Sequence, residues 1–175
     1  RMTLRGDAIA AEFQAVVDEY GGDVAQKAKY FIAVNQLFLD RATGIQQLEE
    51  LSKSNDAVGR LSKYALAQTR AEDGKLDEAV ALYKELASAS DSVVPKDSVN
   101  LELAKIYEKQ GKKQEAVDIL FTMVKAASEA KDLDGKAVPL TQSITAAKDK
   151  LTELDPEKAK EIPEPAVETP DLGQG

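Results

Sequence analysis

Apolar residues recur at three- and four-residue spacing along most of the chain, the period of a helix with one buried face. The pattern predicts a first helix over Asp7–Tyr20, capped by Asp7, with Ile9, Phe13, Val16, Val17 and Tyr20 on its apolar side and Gly21-Gly22 closing it. A second helix, capped by Asp23, runs to Leu39; Ala28, Phe31, Ile32, Asn35 and Phe38 mark its inner side. It is the most apolar of the set and is expected to lie centrally. Thr43–Ser54 follows, with Ile45, Leu48 and Leu51 inward. Then come Ala57–Asp73 behind an Asp56 cap, Leu76–Ser88, Asp97–Gln110 just after Pro95, and Lys113–Lys131. Asp134-Gly135 breaks the pattern, and a last helix runs from Pro139-Leu140 to Leu154 with Leu140, Ile144, Ala147, Leu151 and Leu154 inward.

One stretch occurs twice. Leu66-Ala67 … Gly74-Lys75 … Glu78-Ala79-Val80 returns as Leu103-Ala104 … Gly111-Lys112 … Glu115-Ala116-Val117, with seven of eighteen positions identical at an offset of 37. Each copy reads as helix, tight turn, helix. The glycine stands where a helix ends in the left-handed conformation. The alanines stand where two helices approach most closely, so that a bulkier side chain would push them apart. Residues 23–54 form a degenerate third copy: Ala33 stands about where Ala67 and Ala104 do, Gly44 about where Ala79 and Ala116 do, and Asp40 replaces the turn glycine.

The doubled pattern resembles the tetratricopeptide repeat (TPR) family, whose motif has a Leu-Gly or Leu-Ala pair, an aromatic residue, a turn glycine, an alanine five residues later and a second aromatic. Leu66-Ala67, Gly74, Ala79 and Tyr83 match it, as do Leu103-Ala104, Tyr107, Gly111 and Ala116. Arg70 and Leu120 depart from the aromatic positions, and the offset exceeds the family's repeat of about 34 residues. The extra residues fall in the Ser-rich joint 88–95. The resemblance implies an all-α fold: a right-handed superhelical stack of antiparallel helix pairs, about seven or eight helices, spanning residues 1–154. It also implies a binding groove on the concave face, lined by the first helix of each pair. On the three copies the outward positions of the family pattern are Lys27, Tyr30, Val34 and Leu37; Leu61, Tyr64, Gln68 and Ala71; and Ser98, Leu101, Lys105 and Glu108. Tyr30 and Tyr64 fall at the same repeat position, where aromatic rings with polar tips suit an extended or helical peptide. The groove lacks the several Lys, Arg and Asn of the carboxylate clamp some family members carry.

Composition narrows the function further. With 31 acidic against 23 basic residues the net charge is -8. Phosphate binding needs a basic patch, so nucleic acid is not an expected partner. The absence of histidine removes the commonest general base and most zinc sites, and the absence of cysteine removes thiolate chemistry. No glycine-rich phosphate loop is present, and Asp132-Leu133-Asp134-Gly135 is too short for a calcium loop. The chain is not read as an enzyme, and no cofactor or metal is expected.

The stretch from Glu12-Phe13 through Tyr20-Gly21-Gly22 to Ala25-Gln26-Lys27-Ala28 resembles TPR-like proteins of the bacterial envelope, in which a helix ends in a Tyr-Gly or Tyr-Pro corner before an Ala-rich helix. One such family is the ancillary subunit of the SecYEG translocon, and the likeness covers roughly residues 8–130. It implies a periplasmic domain tethered to the inner membrane through a segment upstream of Arg1, in contact with the translocon and periplasmic chaperones. Without that tether the chain is expected in the cytoplasm. The start Arg1-Met2 is read as a cloning remnant or as the edge of a longer protein. From Asp155 to Gly175 four of the six prolines and six acidic residues accumulate against two lysines, the composition of a disordered tail. The leading expectation is a non-catalytic adaptor or scaffold domain that binds peptide or protein partners. The alternative is a self-associating homodimeric scaffold, motivated by Leu37 and Phe38.

Overall fold

A computed structural model describes residues 2–89 and 93–163, and every regular element in it is a helix. Among the described residues there are nine: α1 Met2–Glu19, α2 Gly22–Leu39, α3 Arg41–Leu51, α4 Ala57–Glu72, α5 Leu76–Ser88, α6 Lys96–Lys109, α7 Lys113–Glu129, α8 Gln142–Leu154 and α9 Pro156–Lys160. The all-α expectation holds. Residues 164–175 of the tail and 90–92 of the Ser-rich joint lie outside the described residues.

Helix boundaries follow local capping chemistry. Asp7 lies inside α1 rather than at its start. Asp23 sits in the first turn of α2, while Gly21 holds the N-cap position in an extended conformation without a side-chain bond. Asp40, read as a weak substitute for a turn glycine, closes α2 and caps α3 at once: its carboxylate accepts from the Thr43 amide at 3.3 Å and the Thr43 hydroxyl at 2.7 Å. A cap residue in extended conformation turns the chain without a left-handed residue. Asp56 caps α4 through the Gly59 amide at 2.8 Å. The last long helix begins at Gln142 and not at Pro139, because the Thr141 hydroxyl accepts from the Ile144 amide at 3.2 Å. A ninth helix stands at Pro156–Lys160, capped by Asp155, where the sequence reads as the start of a disordered tail.

The two matched copies share one turn geometry. Gly74 has φ +75 and Gly111 φ +74. After each glycine a lysine amide donates back to a carbonyl five residues earlier, Lys75 to Arg70 and Lys112 to Tyr107, both at 2.8 Å. This is the Schellman arrangement, which satisfies carbonyls that the helix end leaves unpaired. The alanines Ala67, Ala79, Ala104 and Ala116 are all buried.

The chain divides into two compact units, Arg1–Val99 and Asn100–Gly175, the division falling within α6. In the first unit α1 packs on α2, α2 on α3, α3 on α4 and α4 on α5, and α2 also reaches α4. Ala33, Leu48, Ala65 and Leu66 form a core cluster, flanked by Tyr30, Val34, Leu37, Ile45, Leu51 and Leu82. Of the residues expected inward on α2, Ala28 and Ile32 are buried, but Phe31 and Phe38 are exposed, Phe38 to 85%. In the second unit α7 packs on α8 and α8 on α9. Leu120, Val124, Ile144 and Leu151 are fully buried there.

Candidate partner-binding surface

The positions assigned to a groove divide by environment. On α2, Lys27 is exposed, while Tyr30, Val34 and Leu37 are half-buried against the cluster around Ala33 and Leu66. Burial pushes the Tyr30 hydroxyl above its usual pKa, and its ring meets the Phe31 ring edge-on at 5.5 Å. On α4, Leu61, Tyr64 and Ala71 are half-buried and Gln68 is exposed. The Tyr64 ring meets the buried Tyr83 ring of α5 edge-on at 5.8 Å. On α6, Ser98 is half-buried and Leu101 is buried at 6% exposure. Lys105 pairs with Glu102 at 2.7 Å, and Glu108 with Lys150 of α8 at 3.1 Å. Core packing thus brings Tyr30, Val34 and Leu37 together, and Lys27 and Gln68 are left facing solvent.

Two arginines that the pattern does not single out for binding tie α3, α4 and α5. Arg41, at the start of α3, donates to Asp73 at 2.7 Å and Glu72 at 3.1 Å, at the end of α4. Arg70, in the place where the TPR motif has an aromatic, pairs with Glu49 of α3 and, at 3.0 Å, with Glu78 of α5. Its side chain is only 13% exposed. Arg70 thus joins three helices by charge-assisted bonds. No signal within one helix marks such a role, since the partners come from two others.

A cleft of about 350 Å³ opens between α2, the end of α3 and the loop to α4, lined by Gln26, Lys29, Glu50, Leu51, Ser54, Asp56 and Val58. Its acidic groups are engaged locally. Glu50 pairs with Lys53, and the Gly59 amide and then the Ser54 hydroxyl hold the Asp56 carboxyl below its usual range. In the loop between α7 and α8, the Asp132 carboxylate accepts from the Asp134 and Lys136 amides, both at 2.9 Å. That bonding closes the turn on its own backbone. Among the described residues no three His, Cys, Asp or Glu side chains are grouped to hold a metal ion, and no helix is long and apolar enough to cross a membrane.

Comparison of the chain with family models, with curated proteins and with solved structures returns no match.

Proposed function

We propose that this chain is a non-catalytic protein-interaction module built from TPR-like helix pairs, binding an extended or helical peptide segment of a partner protein. The observation that carries the proposal is the repeated pair. Two helix–Gly-Lys–helix units have φ of +75 and +74 at the glycine and matching backbone bonds across the turn. Buried alanines occupy the same two positions in each. In the first unit α4 lies against both α3 and α2, the way each new pair of a TPR stack meets both helices of the pair before it. On this reading α2–α3 and α4–α5 form a right-handed two-pair stack. The peptide runs past the solvent-facing groups of α2 and α4, with Lys27 and Gln68 as polar contacts beside the half-buried Tyr30 and Tyr64. The likeness of residues 12–28 to the envelope family supports a periplasmic setting, tethered to the inner membrane, with translocon or periplasmic chaperone components as partners.

The test is site-specific photo-crosslinking in the source cell, with the photo-reactive group at Gln68 or Lys27 and at Glu50 as control. Capture of one defined partner at Gln68 and Lys27 and not at Glu50 is the expected result. Equal capture at all three positions, or none at Gln68 and Lys27, overturns the assignment of the surface.

A further inference from the structure

The first helical hairpin carries apolar residues that stay exposed among the described residues. Val24, Phe31 and Phe38 stand seven residues apart on α2 and are 50%, 49% and 85% exposed. Seven-residue spacing keeps them on one face of the helix. Phe31 stacks on Phe13 of α1 with centroids 5.2 Å apart and an interplanar angle of 18°. Ile9 of α1, at 43% exposure, and Tyr20, the residue after its end, at 51%, add to the exposed apolar surface. Antiparallel pairing of the two helices, marked by the bond from the Asn35 side chain to the Gly6 carbonyl at 2.8 Å, puts Ile9 towards the Phe38 end and Tyr20 beside Val24. These exposed apolar residues are thus distributed along the whole length of the hairpin.

Its size bears on what covers it. A Phe or Tyr side chain offers 150–250 Å², and Ile and Val somewhat less, so these exposures amount to on the order of 500 Å² of apolar surface. Isolated exposed apolar residues are ordinary, but a continuous patch of a few hundred Å² marks an interaction site. A standard interface takes about 800 Å² from each partner, and a homodimer interface is about 65% apolar. One side of such a dimer needs about the apolar area found here.

We propose that the α1–α2 hairpin is an isologous dimer interface, taking a second copy of this chain antiparallel across α2. The spacing is self-complementary. A two-fold axis at Phe31 lays Phe31 on its own counterpart and sets Phe38, the largest and most exposed member, against Val24, the smallest. Large against small at both ends lets the two stripes interdigitate, and the seven-residue period is the seam of an antiparallel helix pair. An anionic lipid surface is a poorer occupant for a chain of net charge -8.

The experiment is sedimentation equilibrium on the full chain and on Phe38→Glu across the micromolar range, with disulfide trapping alongside. The chain has no cysteine, so single substitutions report cleanly. The expected result is a dimer whose dissociation constant rises about tenfold or more in Phe38→Glu, the effect of losing an aromatic anchor from each of the two copies. Helix content stays unchanged, and so does Tm at concentrations below the dimer's dissociation constant, because Phe38 is 85% exposed in the single copy. Mixing Val24→Cys with Phe38→Cys under mild oxidation gives mainly the mixed disulfide. A monomer at every concentration, a dimer indifferent to Phe38→Glu, or a preference for like-with-like disulfides overturns the proposal. Lys27 lies on α2 between Val24 and Phe31, so capture of a second copy there reports the dimer, whereas capture of another protein at Gln68 on α4 reports the peptide reading, and either can fail without the other.

Discussion

Gly44 of α3 lies so close to Leu37 of α2 that a Cβ on Gly44 would come within 2.5 Å of the Leu37 amide nitrogen. It would also stand 2.8 Å from the Gln36 carbonyl carbon and 3.0 Å from the Ala33 oxygen. The obstacle is backbone on every side, and backbone within a helix cannot rotate away. Where the better-matched copies separate their paired helices by an alanine, this pair needs a glycine.

Gly44→Ala is accordingly expected to destabilise the protein. Replacing a helical glycine by alanine favours the helix by about 1 kcal/mol, but overpacking costs about 1–3 kcal/mol or more, so the net is a loss. Gly6→Ala has the opposite sign: the nearest atoms to its Cβ all belong to the Leu39 side chain, Cδ2 at 2.7 Å and Cδ1 and Cγ at 3.1 Å, and a side chain, unlike helix backbone, can turn aside. The propensity gain of up to about 1 kcal/mol is then kept. Urea midpoints followed by circular dichroism distinguish the two; equal signs would refute the packing argument.

The turn glycines make a matched pair for a second measurement. A Cβ at Gly74 or Gly111 meets nothing within 4 Å, so space is not the constraint. The positive φ is. A non-glycine residue there costs roughly 1–2 kcal/mol, and asparagine tolerates the region better than alanine. Gly74→Ala and Gly111→Ala are each expected to lower stability by about 1 kcal/mol, with the asparagine variants in between. Unequal penalties would mean that the shared turn does not carry the same load in both copies.

How far the chain was legible follows from the same residues. The long helices could be read from periodicity, and the tight turns from Gly74 and Gly111, because those signals are local. Of the inner face of α2, Ala28 and Ile32 could be read and the aromatic positions could not. Phe31 and Phe38 look like core residues by hydrophobicity, yet close helix approach selects Ala25, Ala28 and Ala33 for burial and leaves large rings at the flank. Gly44 was visible as an aligned small residue, but its need for no side chain at all depends on where α2 lies. The surface positions could be assigned to helix faces. Which of them packing consumes depended on neighbours such as Tyr83 and Leu66, far apart in sequence from the residues they cover.

Arg70 and Arg41 should separate by burial. The Arg70 side chain is 13% exposed and joins Glu49 and Glu78, whereas that of Arg41 is 41% exposed and joins Glu72 and Asp73. Arg70→Ala removes packing of the stem and bonds to charged groups, and is expected to cost about 1.5–3 kcal/mol. Arg41→Ala is expected to cost less than about 1 kcal/mol, and molar salt should erase most of it. Denaturation of both variants at low and high salt checks the ranking, which fails if salt abolishes the Arg70 effect as well.

Stability should be flat from about pH 5 to 9, since histidine and cysteine, the side chains that ordinarily titrate near that range, are absent. Among the described residues, three carboxyls sit below their usual range: Asp40 through the Thr43 hydroxyl and amide, Asp56 through the Gly59 amide and Ser54 hydroxyl, and Asp118 through Lys158 and Gln114. As pH falls past the ordinary aspartate value of about 3.9, the unfolded chain takes up protons first. The stabilisation present above that value is then lost through the lower folded values. On the alkaline side Lys150, beside Glu108 and Glu153, and Lys158, beside Asp118, titrate above their usual value. Their contribution is full below about pH 10.4 and disappears as pH climbs through the raised folded values. Asp56→Asn keeps a capping oxygen but no titration there, so its Tm should fall less steeply below pH 4; an unchanged acid limb would contradict the assignment.

The short helix α9 supplies the sharpest local test. Five residues cannot hold a helix in water by themselves, because nucleation consumes more than so few bonds return. Asp155 caps it through the Lys158 amide at 3.0 Å, and Pro156 presets its first turn. The long-range hold is the Lys158 side chain. Its ammonium reaches the Asp118 carboxylate of α7 at 2.7 Å and lies 5.2 Å from the centroid of the Phe121 ring. Lys160, by contrast, pairs within its own turn among the described residues, with Glu157 at 2.7 Å. If docking through Lys158 keeps α9 helical, Lys158→Ala should bring the amides of Ala159 and Glu161 to near-unprotected hydrogen exchange while α7 and α8 keep their protection. Lys160→Ala should leave all of them as they were. Retained protection in Lys158→Ala would show that the cap and the proline suffice, and equal loss in both variants would show that helix charge, not docking, sets the order of this segment.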